Sequence, residues 1–465
     1  MGLNEAFVAA AKALLGAKGW TDDRDRIAPK LVDWRGRWRG EAPFLALPGS
    51  VEEVSALVRL CAEHRVPIVP QGGNTGLVGG QLPRGELIVS TDRLRAIRDV
   101  APADDCIVVE AGMTLLETQQ SAAAAGRLFP LSLAAEGSAT IGGAVSTNAG
   151  GIGVLRYGMM RDLVLGIEAV LPSGEVFHGL KRLRKDNTGY DLKQLLIGAE
   201  GTLGIVTAAS LRLFPAITGR ATALAGVVDA TCALTLLERT RGAGAVEAFE
   251  LISRTGVELA IRHIPRVQDP LGEPWPWYVL VELSARTSAE AQETLEAVLA
   301  AALEDGTVAD AAIAQNEQQR TVLWRLREEQ TAAQRAAGAS WSHDVSVPVS
   351  CIPALLARAA TAIEAAFPGA RPIPFGHVGD GNIHYNVVQP EGADPAAFAA
   401  QGDAAATIVH DIVASLEGSI SAEHGLGRMK SDAARAYFSP VRIAAMRAIR
   451  KALDPLGIMN PAVLF

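Results

Sequence analysis

The sequence predicts an α+β fold in two parts: a glycine-rich first half of short helices and strands, and an alanine-rich second half of sheet plus helices. Three observations predict it. The chain is 465 residues long, which at ordinary domain sizes means roughly two to four structural units. Apolar residues make up 49% and charged residues 20%, enough to bury ample core. The texture changes near Ala221, after Pro215 interrupts the mixed helix-and-strand order.

Taken in order, Met1 to Trp20 reads as an amphipathic helix, with Asn4, Glu5, Lys12 and Lys18 among its apolar residues. It lacks the charged opening and solid apolar block of a signal peptide. Ser50 and Glu53 have capping-box spacing ahead of the apolar-periodic run Val51 to His64. Val66 to Pro70, Leu87 to Ser90 and Ile107 to Glu110 read as strands. Thr114 and Glu117 repeat the capping spacing, and Gly126 stops that helix. In the second half, Glu290 to Leu303 and Ala354 to Ala366 are helical, and Tyr278 to Leu283 and Asn382 to Val388 are strand-like. Ser439-Pro440 opens a last helix, and the segment to Phe465 ends turn-rich.

Composition narrows the function. A formal net charge of −8 disfavours nucleic acid and anionic membrane surfaces as partners. No run approaches the ~20 apolar residues of a membrane span. Cys61, Cys106, Cys232 and Cys351 are scattered without Cys-x-x-Cys spacing. That disfavours thiolate zinc sites, iron–sulfur clusters and a disulfide framework, and points to reduced thiols and a cytoplasmic setting.

Four glycine loops each adjoin an apolar strand. They are Pro70-Gln71-Gly72-Gly73-Asn74-Thr75-Gly76-Leu77 with Val78-Gly79-Gly80, then Glu136-Gly137-Ser138-Ala139-Thr140-Ile141-Gly142-Gly143, then Asn148-Ala149-Gly150-Gly151, then Glu200-Gly201-Thr202-Leu203-Gly204-Ile205-Val206. Glycine lets backbone approach a ligand without a Cβ, and successive amides make an anion-binding nest. One such loop is commonly a plain turn; four together read as walls of one elongated dinucleotide site. None fits Gly-x-Gly-x-x-Gly between strand and helix, so a Rossmann nicotinamide site is unsupported.

The most informative stretch is Phe375-Gly376-His377-Val378-Gly379-Asp380-Gly381-Asn382-Ile383-His384-Tyr385-Asn386. It reads as strand, tight turn, strand. His384 and Asn386, two apart, share a face, and His377 can meet His384 across the turn. Two imidazoles so placed suit a borderline divalent metal such as zinc, manganese or iron. Glu423, in Ser421-Ala422-Glu423-His424-Gly425-Leu426-Gly427, offers a third ligand and leaves positions open for substrate. A lone histidine is more often a satisfied structural group. Three of eight histidines in two glycine-flanked polar motifs favour a site. Asp380, between two glycines, is read as shaping the turn.

These motifs carry two resemblances. Residues 30–215 resemble the FAD domain of the vanillyl-alcohol-oxidase (PCMH) type, through Gln71–Gly76, Glu110-Ala111-Gly112, Thr140–Gly143, Asn148–Gly151 and Glu200–Thr207. Residues 220–465 resemble the C-terminal domain of FAD-linked 2-hydroxy-acid oxidoreductases, through Gly376–Asn386, Ser421–Gly427 and Leu453–Pro461. That group includes D-lactate dehydrogenase, D-2-hydroxyglutarate dehydrogenase and the flavoprotein subunit of glycolate oxidase. The resemblance implies a vanillyl-alcohol-oxidase-type FAD domain over 1–220, a substrate (cap) domain over 221–420 carrying the metal site, and a segment, 421–465, returning to the FAD domain. It implies that Pro70 to Leu77, Gly137, Thr140, Gly142, Gly143, Asn148, Gly150, Gly151, Glu200, Gly204, Ile205 and Val206 hold FAD. Covalent members often carry histidine where this chain has Asn74, so the implied flavin is non-covalent.

The resemblance also implies that Arg327, helped by Thr331 one helical turn on, grips a substrate carboxylate; a guanidinium fork suits that task. The implied chemistry is oxidation of a D-2-hydroxy acid to the 2-oxo acid. His377, His384 and Glu423 hold a divalent metal, zinc first, His424 is the general base, and Asn386 orients the substrate. The family pattern often has lysine two residues before Asp344, where this chain has Ser342. That weakens the case for a dicarboxylate such as D-2-hydroxyglutarate against a monocarboxylate such as D-lactate, with His343 as a partial substitute. Electrons are expected to pass to an acceptor such as electron-transfer flavoprotein or quinone, and a homodimer is left open. Alternatives are the flavin subunit of a glycolate-oxidase-type complex, an oxidase using oxygen directly, and, in another class, a flavin-free metal-dependent hydrolase.

Overall fold

The computed structural model describes residues 3–464 and divides the chain into two compact units. The first comprises Met1–Gly151, Tyr157–Ala216 and Glu423–Phe465; the second comprises Ile152–Arg156 and Ile217–Ala422.

The first unit holds two main sheets. β1 (Trp20–Thr21), β2 (Leu45–Ala46), β3 (Ile68–Gln71) and β4 (Leu87–Ser90) form one, ordered β1-β2-β4-β3, with β4 parallel to β2 and β3. Helices Glu5–Leu15 and Val51–His64 contribute Phe7, Leu15, Val54, Leu57 and Val58 to the core beside it. Met1 and Gly2 of the helix predicted from Met1 lie outside the described residues. The capping spacings behave differently. Thr114 and Glu117 make both bonds of a capping box, whereas Glu53 turns its carboxylate to the N–H of Gly49 and leaves Ser50 to cap alone.

β5 (Ile97–Ala101), β6 (Cys106–Glu110), β8 (Val164–Val170), β9 (Val176–Gly179) and β10 (Ile205–Arg212) form the second sheet, antiparallel throughout and ordered β5-β6-β10-β8-β9. β7 (Arg127–Leu128) pairs with β11 (Phe214–Pro215) beside it. The helix Pro440–Leu453, capped by Ser439, is followed by a turn-rich stretch in which Ile458 and Met459 are buried and Met459 bridges to Ile68 of β3; Phe465 lies outside the described residues.

The second unit is one antiparallel sheet with helices on both faces. Its strands are β12 (Gly219–Val227), β13 (Ala245–Ser253), β14 (Trp277–Ala285), β15 (Asp310–Ile313), β16 (Ser340–Trp341), β17 (Asp344–Ser346), β18 (Arg371–His377) and β19 (Asn382–Val388). The order is β15-β12-β14-β13-β18-β19-β16, with β17 also on β19. Side chains alternate between faces along each strand. Phe249, Leu251, Val281, Ile383, Tyr385 and Val387 enter one core, with helices Ala230–Ala243, Ser288–Glu304, Ile352–Ala366 and Gly402–Ser415. Ala248, Ile252, Leu280, Ile373 and Val388 enter the other, under helices Arg254–His263, Glu317–Glu328 and Gln330–Ala336. The polar residues Glu250, Glu282, His384 and Asn386 share strand parity with this second set, and the site is built on their face.

The stretch Val349–Ala366 meets the length and hydropathy of a membrane span, at mean hydropathy 1.4. Its Ile352, Leu355, Leu356, Ala359 and Ile363 form a buried stripe in the first core. The strap Ile152–Arg156 carried no sequence signal for its place in this unit: Ile152 packs on the second core and Arg156 bonds Glu247 and Ser284.

Candidate active site

In the first unit the glycine loop leaves β3 at Gln71, whose amide donates to the carbonyls of Lys30 (2.9 Å) and Gln81 (3.0 Å). Asn74 takes a left-handed φ of 56° and donates to Val32 O at 2.8 Å. So anchored, the loop holds six consecutive N–H groups, Gly72 to Leu77, for which there is no acceptor among the described residues. It lies against the Gly137–Gly143 segment so closely that a Cβ on Gly73 would stand 1.7 Å from Ser138 O. Thr140 caps the Ile141–Thr147 helix by accepting from Gly143 N–H. A row of unengaged amides beside a second loop fits the pyrophosphate of a dinucleotide.

The remaining predicted cofactor residues divide. Asn148, at φ 50°, ends the Ile141–Thr147 helix, and its side-chain oxygen accepts from Arg161 N at 2.8 Å. Gly150 and Gly151 follow it. Gly204 leads into β10, where Ile205 and Val206 are buried. The Glu200 carboxylate accepts from Leu426 N (2.9 Å) and Gly427 N (2.7 Å), and its carbonyl accepts from Asn460 Nδ2 (2.8 Å). Burial raises its pKa and the two amides oppose that. Glu200 therefore fixes the loop that follows Glu423 and His424, a role with no signal in the sequence. Glu423 and His424 are neighbours at 3.8 Å, Oε1 to Nε2.

In the second unit, β18 and β19 are joined by a 3-10 turn, Val378–Asp380, and Gly381 at φ +88°. A Cβ there would meet Val347 O at 2.2 Å, so only glycine closes this turn. The turn brings His377 and His384 together: ring centroids lie 5.7 Å apart, and ring nitrogens come within 4.8 Å. Each Nδ1 faces a carboxylate, His377 to Glu250 Oε1 at 2.6 Å and His384 to Asp344 Oδ1 at 3.8 Å. His377 presents the arrangement typical of a metal-bound histidine, its second nitrogen held by an acceptor, whereas the His384–Asp344 contact is longer than a hydrogen bond. Arg327 donates from Nε to Glu250 Oε2 at 2.5 Å and places Nη2 3.4 Å from His377 Nε2. Burial alone would raise the Glu250 pKa; Arg327 and His377 outweigh it and lower the group to about 2. Asn386 donates to Gln334 Oε1 at 2.8 Å.

Several expectations are corrected. Arg327 and Thr331 do not share one helix: the first ends at Glu328, the next starts at Gln330, and Thr331 is exposed. His343 cannot stand in for the missing lysine. It is buried among core residues of the opposite face, its Nδ1 on Tyr385 O at 2.8 Å and its ring 6.2 Å from that of His410. Asp380 shapes the turn as expected, accepting from Asn382 N at 3.1 Å. Burial, opposed by His377, raises its pKa to about 6. Glu250 and Gln334 escaped sequence reading because nothing local distinguishes a buried glutamate or glutamine from an exposed one.

Comparison with known proteins finds two family domains along the chain. Residues 42–179 match the profile of an FAD binding domain, and residues 218–464 that of the C-terminal domain of FAD-linked oxidases. The chain belongs to the FAD-linked oxidase family. Within that family it is 38% identical over 462 residues to the mitochondrial D-2-hydroxyglutarate dehydrogenase of Arabidopsis thaliana, covering 99% of this chain and 81% of the relative. It is 39% identical over 434 residues to the D-2-hydroxyglutarate dehydrogenase of Xanthomonas citri pv. viticola, covering 93% and 91%. The fold matches p-cresol methylhydroxylase with a TM-score of 0.76 at 18% identity, over 99% of this chain and 97% of that one. The vanillyl-alcohol-oxidase-type α+β fold is thus present. The coarse chemistry is that of the family, FAD-linked oxidation of a 2-hydroxy acid by a dehydrogenase, and the flavin-free hydrolase is set aside.

Proposed function

We propose that this flavoenzyme oxidises a D-2-hydroxy acid to its 2-oxo acid with the help of a divalent metal. The observation that carries the reading is the 3.4 Å approach of Arg327 Nη2 to His377 Nε2, beside His384. A 2-hydroxy acid has its hydroxyl and carboxylate on adjacent carbons, so a guanidinium for one belongs next to a metal-binding group for the other. FAD, when bound, supplies the hydride acceptor, and a divalent metal held by His377, His384 and Glu423, zinc first, supplies a Lewis acid.

The residues then have distinct tasks. Arg327, gripped through Nε, keeps Nη1 for the carboxylate, joined by Nη2 once metal takes His377 Nε2. Asn386, braced by Gln334, orients the substrate. His424 takes the hydroxyl proton on a ring nitrogen as C2 gives up its hydride; an imidazole suits this near neutral pH. Its neighbour Glu423 stabilises the resulting imidazolium. The flavin is non-covalent, since Asn74 offers no histidine linkage. Its electrons pass to a separate acceptor, an electron-transfer flavoprotein or a quinone, because the four cysteines are single and scattered.

The test is anaerobic titration of purified enzyme with a panel of D- and L-2-hydroxy acids, followed by turnover with a dye acceptor. A D-acid should bleach the flavin spectrum, and the protein should carry about one equivalent of metal. Failure of every D-2-hydroxy acid to reduce the flavin would defeat the reading.

A further inference from the structure

Two arginines on the helix Glu317–Glu328 meet two buried glutamates of the sheet, and they do so differently. Arg320 closes a two-pronged pair on Glu282, Nε to Oε2 at 2.7 Å and Nη2 to Oε1 at 3.0 Å. Trp324 Nε1 (2.9 Å) and Thr222 Oγ1 (2.7 Å) also donate to Glu282, and Arg220 Nε stands 3.8 Å from its Oε1. Arg327, seven residues on, gives Glu250 only its Nε. The second oxygen of Glu250 belongs to His377, the residue directly opposite it in the β13–β18 pairing. Glu250 is 1% exposed, so its carboxylate depends wholly on these two partners.

We propose that Glu250 is a positioning residue serving two groups at once, fixing the His377 ring for metal and the Arg327 fork for the substrate carboxylate. The proposal rests on the reading of His377 as a metal ligand. Oε1 accepts the Nδ1 hydrogen, which puts the lone pair on Nε2, the nitrogen that Arg327 Nη2 approaches at 3.4 Å and that would meet the metal in its place. Oε2 holds Arg327 by Nε, which sets Nη2 beside His377 Nε2 and leaves Nη1 for substrate. A single carboxylate thereby makes metal affinity and carboxylate recognition rise and fall together. Glu282 and Arg320, on the same helix and sheet face, have no nitrogen to spare and serve as the internal control.

The experiment compares Glu250→Gln with Glu282→Gln in the flavin-loaded protein. Zinc affinity is measured by competition with a chromophoric chelator, alongside KM, kcat and melting temperature. Glu250→Gln should weaken zinc binding on the order of 10- to 100-fold and raise KM for the 2-hydroxy acid. Glu282→Gln should lower the melting temperature while binding zinc like wild type. Wild-type zinc affinity in Glu250→Gln, or equal weakening in both variants, would overturn the proposal. Should Glu250→Gln not fold, 15N NMR of histidine-labelled, metal-free wild type at pH 8 decides, with His377→Gln for assignment. His377 should carry its proton on Nδ1, and a proton on Nε2 would overturn the idea. A wild type that takes up no zinc at all would instead remove the metal reading itself.

Discussion

Ser342 stands directly opposite Asn386 across the sheet. Trp341 pairs with Val387 and Asp344 with His384, and the register runs between them without a slip. Cross-strand partners share a face, so Ser342 belongs with Asn386, His384 and Asp344, while Trp341 and His343 turn to the core behind. The residue that departs from the family pattern is therefore on the site face.

The first prediction concerns substrate choice. A distal carboxylate meets no lysine at this position, and the loss of one charge-assisted hydrogen bond is worth roughly 1.5–3 kcal/mol, one to two powers of ten. Wild type should show higher kcat/KM for a monocarboxylate such as D-lactate than for D-2-hydroxyglutarate, and Ser342→Lys should move the preference towards the dicarboxylate. Steady-state kinetics on both acids check this. A strong wild-type preference for D-2-hydroxyglutarate, the substrate in its relatives' names, would mean that another cation fills the gap.

Metal and base should separate by mutation. His384→Ala, like chelation, should abolish turnover while the flavin stays bound, because the glycine loops are built in the other unit. His424→Ala should keep metal and flavin and lose rate by about a hundred- to ten-thousandfold. Metal analysis, flavin absorbance and kcat on each variant read the three properties independently; full activity after complete metal removal would sink the ligand assignment.

Gly73→Ala should cost flavin rather than fold. The added Cβ would lie 1.7 Å from Ser138 O, so the loop must move away from its neighbour. The variant should purify with little flavin and near-normal circular dichroism, whereas acid precipitation of wild type should release all its flavin to the supernatant. A yellow Gly73→Ala protein with wild-type flavin content would show that these loops do not set the cofactor site.

The buried pair Glu282–Arg320 sets an acid limit on stability. Burial acts to raise the Glu282 pKa, but Arg320, Trp324 and Thr222 outweigh it and hold the group below its ordinary 4.5. A depressed folded-state pKa contributes stability above 4.5 that is lost as pH falls through the folded value. Denaturation midpoints should therefore drop steeply with pH below about 4.5. Arg320→Met, which removes the two-pronged pair and leaves Glu282 with Trp324, Thr222 and the Arg220 Nε at 3.8 Å, should cost about 1.5–3 kcal/mol at neutral pH. Urea titrations from pH 3 to pH 8, on the scale of that window, compare the two slopes; equal stability of variant and wild type would contradict the assignment.

By itself the sequence determined what is local. Glycine placement marked the loops proposed to hold the cofactor, because an amide row without Cβ atoms is encoded residue by residue. The period of two fixed the shared face of His384 and Asn386, and Gly381 fixed the turn that returns His384 to His377. Only the tertiary structure decided which distant polar groups meet. Glu250 reaches His377 across 127 positions, and Glu200 reaches Leu426 across 226. A break after Glu328 separates Arg327 from Thr331, though their spacing suggested one helix. His343 turned away from the site because strand parity, set by pairing with β19, put it on the core side. Such choices follow from strand register and from burial of unpaired charge, which are properties of the assembled sheet rather than of any one segment.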